Sequence, residues 1–250
     1  MNVDDSLTKD GFLGGKLQIW QPRTGYRAGT DAVFLAAAVD AKPRQSILDV
    51  GCGVGVVSLC LARRLGSLEI CGVEVQANYA SLARRNAKEN RIEIEVTEGD
   101  LSSLPDVLRQ RRFDHVVTNP PYFDPSDHTP PSDGGRKVAH VGTGLDLAEW
   151  IRMCGKRVAP KGSLTLINKA AVLPEIIRAL GAGFGSVEIF PLVARAGQPA
   201  GRVIVTAIAG SRGQASLHSP IVLHDGETHT NDEDYSIKSK SILRDAAGLR

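Results

Sequence analysis

The chain has 250 residues, 42% of them hydrophobic, enough for one sizeable core. Its formal charge of +2 is well short of the excess expected of a protein that holds nucleic acid by charge alone, so composition excludes a purely electrostatic binder without choosing a partner. The start, MNVDDSLTKDGF, lacks the basic and apolar regions of a signal peptide, and no run approaches the roughly 20 apolar residues of a membrane span. A soluble, cytoplasmic chain forming one domain over residues 1–250 is expected, with a leading segment 1–46, a core 47–210 and an extension 211–250. The cysteines Cys52, Cys60, Cys71 and Cys154 form no C-x-x-C pair and read as reduced thiols, and no metal site is expected.

From residue 47 onward short β-branched runs alternate with helical patterns. ILDV (47–50) leads to a helix at about 56–65 that stops at Gly66, and LEICGVEV (68–75) leads to one from about Asn78 to Asn90. IEIEVTEGD (92–100), FDHVVTNPP (113–121) and GSLTLINKA (162–170) follow, with a helix at about 146–158 before the last. This alternation predicts βαβ units and a parallel sheet, an α/β Rossmann-like fold. After the helix AVLPEIIRALGAG come SVEIFPLVAR (186–195) and GRVIVTAIAG (201–210), separated only by AGQPA. That gap is too short for a parallel crossover, so the mostly parallel, seven-stranded sheet is predicted to end in an antiparallel hairpin. Residues 123–145 read as one long loop, and 211–250 as a short strand, IVLH, followed by a polar helix near 232–247.

ILDVGCGVGVVSL is a strand, a glycine turn and a helix start. Gly51, Gly53 and Gly55 permit positive φ and close backbone approach to a ligand. A dinucleotide fingerprint would place a third glycine at 56, where Val56 stands, so pyrophosphate fits poorly. Three acids lie along the same sheet edge: Asp49 before the glycines, Glu74 ending the second strand, where a carboxylate can take both ribose hydroxyls, and Asp100 ending the third. Each alone would pass for a solvated strand end. Together they repel a diphosphate and suit a cationic adenosyl ligand, S-adenosylmethionine.

The fourth strand runs into NPPY. Asn119 is pushed toward extended backbone by Pro120, and neither Pro120 nor Pro121 has an N–H to donate. The loop therefore presents acceptors, the Asn119 side-chain oxygen and the Pro120 carbonyl. Two acceptors holding the hydrogens of a flat NH₂ group would draw its nitrogen toward tetrahedral geometry and free the lone pair for attack on a methyl group. Tyr122, with Phe123, offers a stacking face for a flat substrate such as an extruded base.

The stretches DVGCGVG, GVEV, EGD and NPPYF, in this order, resemble class I S-adenosylmethionine-dependent methyltransferases that modify amino nitrogens. DGFLGGKLQIWQPRTGYRAGTDAVFLAAAV and LHDGETHTND are similar to the terminal segments of the bacterial tRNA(Val) adenine N6-methyltransferase family. The resemblance implies that Gly51, Gly53 and Gly55 approach the methionine part of the cofactor, that Glu74 binds its ribose and that Asp100 binds its adenine amine. It implies that Asn119, Pro120 and Tyr122 hold the target amine. Tyr26, Gly29, Thr30 and Asp31 would close the cofactor site, Asp31 through the methionine amino group. Read without the resemblance, RAGTDAVFLAAAV is a helix capped by Thr30 or Asp31.

Arg136, Lys137 and His140 are cationic candidates in the long loop, while Lys16, Arg23, Arg27, Arg195, Arg202 and Arg212 are further candidates for phosphate contacts. The expected activity is methylation of adenine N6 in tRNA, at the anticodon loop. The alternatives are a glutamine methylase acting on release factors, a DNA adenine methylase, and a cofactor-binding module without catalysis. Oligomeric state stays open.

Overall fold

The computed structural model describes residues 6–121, 145–226, 228 and 234–250. It opens on a hairpin that hydrophobic periodicity does not announce: β1 (Leu7–Phe12) and β2 (Leu17–Pro22) pair antiparallel, from Leu7 opposite Pro22 to Phe12 opposite Leu17. There follow α1 (Thr30–Ala38), β3 (Ser46–Val50), α2 (Val56–Leu65), β4 (Glu69–Glu74), α3 (Ala77–Glu89) and β5 (Glu95–Glu98). Next come α4 (Asp106–Gln110), β6 (Phe113–Thr118), α5 (Leu147–Gly155), β7 (Val158–Lys169) and α6 (Leu173–Leu180). The chain ends with β8 (Phe184–Val193), β9 (Ala200–Ala209), the two-residue strands β10 (Ser216–Leu217) and β11 (Ile221–Val222), and α7 (Ile237–Asp245).

The seven principal strands lie in the order β5-β4-β3-β6-β7-β9-β8. β5 through β7 are mutually parallel, and β9 and β8 form the expected antiparallel hairpin. The outer edge of β8 is covered by β10 and β11, both parallel to it, so the sheet is wider than the seven strands expected. The chain winds outward from β3 to β5 and then crosses back to β6. The strand ends of β3 and β6 therefore meet at the switch point where α/β sheets bind ligands.

Both sheet faces are covered, which is why the central strands read as continuous apolar runs rather than alternating ones. Ile47, Val117 and Ile167 point into one core with Phe34, Leu35 and Leu59. Leu48, Val116 and Leu164 point into the other with Leu108, Ile151 and Ile176. Burying each such side chain contributes about 1.5–3 kcal/mol.

The N-terminal hairpin is held to the core by two asparagines four residues apart, Asn86 in the last turn of α3 and Asn90 at its C-cap. Asn86 accepts from the Trp20 N–H at 2.8 Å and donates to the Trp20 carbonyl at 3.1 Å. Asn90 does the same for Gln18, at 2.9 and 2.8 Å. Their amides thus stand in for a neighbouring strand along the open edge of β2. Asn86, fully buried, also donates to the Val54 carbonyl at 2.9 Å and ties the hairpin to the glycine turn.

The cap expected of α1 is corrected. Gly29 is its N-cap and no side chain caps it, because Thr30 already occupies the first helical position and the Asp31 carboxylate turns away to Arg202.

Gly72 in β4 has no room for a side chain, since an added Cβ would sit 2.8 Å from the Cys52 Sγ. Gly72→Ala is expected to lose about 1–3 kcal/mol in urea denaturation, as overpacking does. Adding Cys52→Ala should recover most of that loss, and additive effects of the two changes would refute the contact as its cause.

Candidate active site

The glycine turn leaves β3 and enters α2. Gly51 and Gly53 hold φ values of 70° and 55°, which side-chain-bearing residues rarely adopt. The turn is laced to β4: the Gly51 and Cys52 N–H groups donate to the Val73 carbonyl at 2.9 and 3.0 Å, and the Gly53 N–H donates to Glu74 Oε2 at 2.9 Å. With these three donors consumed, the turn is no cradle for a diphosphate, in keeping with the missing third glycine. Tyr26 lies over the turn, 3.5 Å from where a Gly53 Cβ would be, and its carbonyl accepts from the Tyr79 hydroxyl at 3.1 Å. The segment before α1 therefore closes on the glycines from the N-terminal side.

The acids occupy distinct environments. Asp49 is 1% exposed, and its Oδ2 accepts from the Ser58 N–H at 3.2 Å and the Ser58 hydroxyl at 2.7 Å. It holds the start of α2 against β3, so its carboxylate is committed within the frame of the turn. Burial pushes its pKa from 3.8 up to about 6, against the Ser58 hydrogen bonds and with the nearby Glu74 charge. Glu74 is 6% exposed, and besides Gly53 it accepts from the Gln76 N–H at 2.9 Å through Oε1. Burial raises its pKa, and the main-chain N–H groups of Gln76 and Gly53 oppose that rise. Asp100 is half-buried and caps the short turn Leu101–Ser103 through Oδ1, which accepts from the Ser102 N–H at 2.7 Å.

The Asp49 shift has a consequence for stability. Below about pH 4 the group is protonated whether folded or not, and between about 4 and 6 only the folded chain keeps the proton. Stability therefore falls as pH rises through that window, by on the order of 3 kcal/mol in all. Asp49→Asn should flatten the slope of unfolding free energy between pH 4 and 6. An unchanged slope in urea melts would show that another group is responsible.

Two residues that the motifs did not mark bind the site together. The Trp150 indole N–H, from α5, donates to Thr118 Oγ1 at 3.0 Å, and the Thr118 hydroxyl donates to the Val50 carbonyl at 2.9 Å. Thr118 is fully buried and Trp150 is 5% exposed. The Trp150 ring also lies 3.4 Å from the position a Gly51 Cβ would take. One side chain thus fixes the end of β6, where Asn119 begins, against the end of β3, where the glycines begin. The available signal was a threonine directly before NPP and a tryptophan inside the expected helix.

At the end of β6, Asn119 is half-buried, Pro120 buried and Pro121 half-buried. No hydrogen bond among the described residues uses the Asn119 side-chain amide. Tyr122, Phe123, Arg136, Lys137 and His140 lie outside the described residues. Gly29 and Thr30 are exposed at the start of α1. Asp31 meets Arg202 of β9, with Arg202 Nε 3.2 Å from Asp31 Oδ2.

Among the cations considered for phosphate, Arg195 is corrected to a structural role. It bonds Asp234 at 2.6 Å and the Asp225 and Gly226 carbonyls, which pins the chain after β11. Arg27 pairs with Asp10 at 2.7 Å and bonds Thr8 and the Pro22 carbonyl, bracing the hairpin.

Residues 27–132 match the family described as methyltransferase small domain. A Porphyromonas gingivalis protein named tRNA1(Val) (adenine(37)-N6)-methyltransferase is 35% identical over 170 residues, covering 65% of this chain and 66% of the relative. The matched region thus spans just under two thirds of that relative. An Aeromonas hydrophila protein of the same name is 29% identical over 216 residues, 84% of this chain and 89% of the relative. A solved structure from Agrobacterium tumefaciens, described as a predicted O-methyltransferase, is 29% identical with a TM-score of 0.69, covering 88% of this chain and 98% of that one. With its glycine turn at the switch point, its seven-strand order and these matches, the chain has the fold of the class I methyltransferases and is similar in sequence to proteins named tRNA1(Val) (adenine(37)-N6)-methyltransferase.

Proposed function

We propose that this chain methylates the exocyclic N6 of an adenine in tRNA, at the anticodon loop, with S-adenosylmethionine as donor. The observation that carries the reading is the Asn119 side-chain amide, uncommitted among the described residues and followed by two prolines, beside the glycine turn at the switch point. The name shared by the relatives supports adenine in tRNA as the acceptor. In this reading residues 1–250 act as one methyltransferase unit, in the cytoplasm with its substrate, and residues 1–46 help to close the cofactor site.

The residues present suit the cofactor. Each Glu74 oxygen takes one main-chain N–H and retains a lone pair for a ribose hydroxyl. Asp100 Oδ2 has no bond among the described residues and is available to an adenine amine. Gly51, the exposed glycine of the turn, offers close backbone approach to the methionine part, with Gly53 and Gly55 shaping the turn beneath. Tyr26, Gly29, Thr30 and Asp31 border it, and Asp49 acts through Ser58 on the turn. When bound, S-adenosylmethionine supplies a methyl group activated by the positive sulfur.

The chain's part in the transfer is to hold the acceptor. Asn119 Oδ1 and the Pro120 carbonyl accept the two amine hydrogens, which localises the nitrogen lone pair. Tyr122 and Phe123 stack the base, and Pro121 stiffens the turn. Arg136 and Lys137 contact the flanking phosphates. A hydroxyl acceptor, as in the description of the Agrobacterium protein, would need a base at this position, and an asparagine amide is not one.

Incubating the protein with methyl-labelled cofactor and either total tRNA, DNA or release factor, followed by nucleoside mass spectrometry, tests the reading. N6-methyladenosine in tRNA is expected, and label confined to protein or DNA would overturn it. Calorimetry should give binding of S-adenosylmethionine in preference to NAD.

A further inference from the structure

The sheet edge opposite the glycine turn gathers positive charge in a chain whose total is only +2. β6 and β7 begin there side by side: the Phe113 N–H donates to the Arg157 carbonyl at 2.9 Å, and Phe113 pairs with Val158. This brings Arg109 at the end of α4, with Arg111 and Arg112 in the turn after it, next to Lys156 and Arg157 just beyond α5. Lys161 follows at a positive-φ turn within β7.

Asp106 pairs with Arg109 and Glu95 with Arg111. Arg112, Lys156, Arg157 and Lys161 have no acidic partner among the described residues. Arg112 is exposed and among the described residues bonds only the carbonyls of Arg109 and Arg111, at 3.4 and 3.1 Å. Arg157, 8% exposed, donates to the Leu108 and Arg109 carbonyls and so holds the arginine-bearing turn in shape. Burial, and then the charges of Arg112 and Arg109, lower its pKa. Packing like charges at one edge opposes folding, and an incoming polyanion would relieve it.

We propose that this edge is a second RNA-binding surface, where Arg109, Arg111, Arg112, Lys156 and Lys161, on a turn held in shape by Arg157, meet phosphates of the substrate beyond its target loop. The inference rests on the tRNA reading above. β6 has six residues and Asn119 follows its last one, so at about 3.3 Å per residue the surface lies roughly 20 Å from Asn119. RNA that stops at the target loop does not span both places, whereas the body of a longer structured RNA can.

The test is Arg112→Glu combined with Lys156→Glu, both exposed and remote from the cofactor residues. Steady-state methylation of full-length tRNA and of an isolated anticodon stem-loop is compared across a salt series. The KM for full-length tRNA should rise about tenfold or more, with its salt slope shallower by about two, the counterions of two lost phosphate contacts. The stem-loop KM, kcat and the affinity for S-adenosylmethionine should stay unchanged. An unaltered KM for full-length tRNA, or equal weakening of both RNAs, overturns the surface. Failure of the unsubstituted protein to methylate either RNA would instead sink the activity reading, so the two failures are distinguishable.

Discussion

Asn119→Ala should lower kcat and kcat/KM together by roughly 100- to 1,000-fold, the range seen when a single preorganised polar group is removed from a reacting centre. The affinity for S-adenosylmethionine, measured by calorimetry, should move far less. The reason lies in what the end of β6 offers. Pro120 and Pro121 have no N–H, so acceptors dominate this turn, and Asn119 supplies the only side-chain acceptor of the three. Without it one amine hydrogen has no partner and the lone pair stays delocalised into the ring. Asn119→Asp keeps an acceptor in place and should retain more turnover than the alanine variant. Full turnover in Asn119→Ala with unchanged cofactor affinity would remove the acceptor mechanism.

The second large effect is expected at Trp150. Trp150→Ala deletes a buried ring packed on Gly51 and on the core beneath β6, and should lose about 3–5 kcal/mol in urea denaturation. Trp150→Phe separates packing from hydrogen bonding. It keeps most of the ring but leaves the buried Thr118 Oγ1 without its donor, a change of about 1–3 kcal/mol. The catalytic consequence follows from geometry, because Thr118 is also bonded to Val50. A looser Thr118 lets the Asn119 turn drift from the glycine turn, and a shift near 1 Å can lower turnover by about 100-fold. Single-turnover kinetics should therefore show a slower chemical step in Trp150→Phe. Wild-type single-turnover rates would mean that the indole N–H serves stability alone.

Much of the fold could be read from local pattern. α2 ends before Gly66 as the helix signals require, and the six-residue gap between the last two long strands forced the β8–β9 hairpin. The N-terminal hairpin escaped the reading because LTKDGF has no strand-like alternation. Its partner edge is made by Asn86 and Asn90, 66 and 72 residues further along the chain. The strand after Asn90 proved shorter than expected, Glu95–Glu98, and β7 longer, beginning at Val158.

The same contrast holds at the site. A parallel βα succession brings the ends of successive strands to one edge, so the glycines, Glu74, Asp100 and Asn119 could be placed together from their order in the sequence alone. Their residue types then carried the chemistry, acids for a cationic adenosyl ligand and donor-free acceptors for an amine. Tertiary structure decided which polar groups are committed to the frame. Asp49 is committed to Ser58, Arg195 to Asp234, and Arg202 to Asp31 across 171 residues. Trp150 reaches Thr118 across 32. Hydrogen-bond partners so far apart, and the burial that raises the Asp49 pKa, are set only when the layers pack, which no local pattern of residues records.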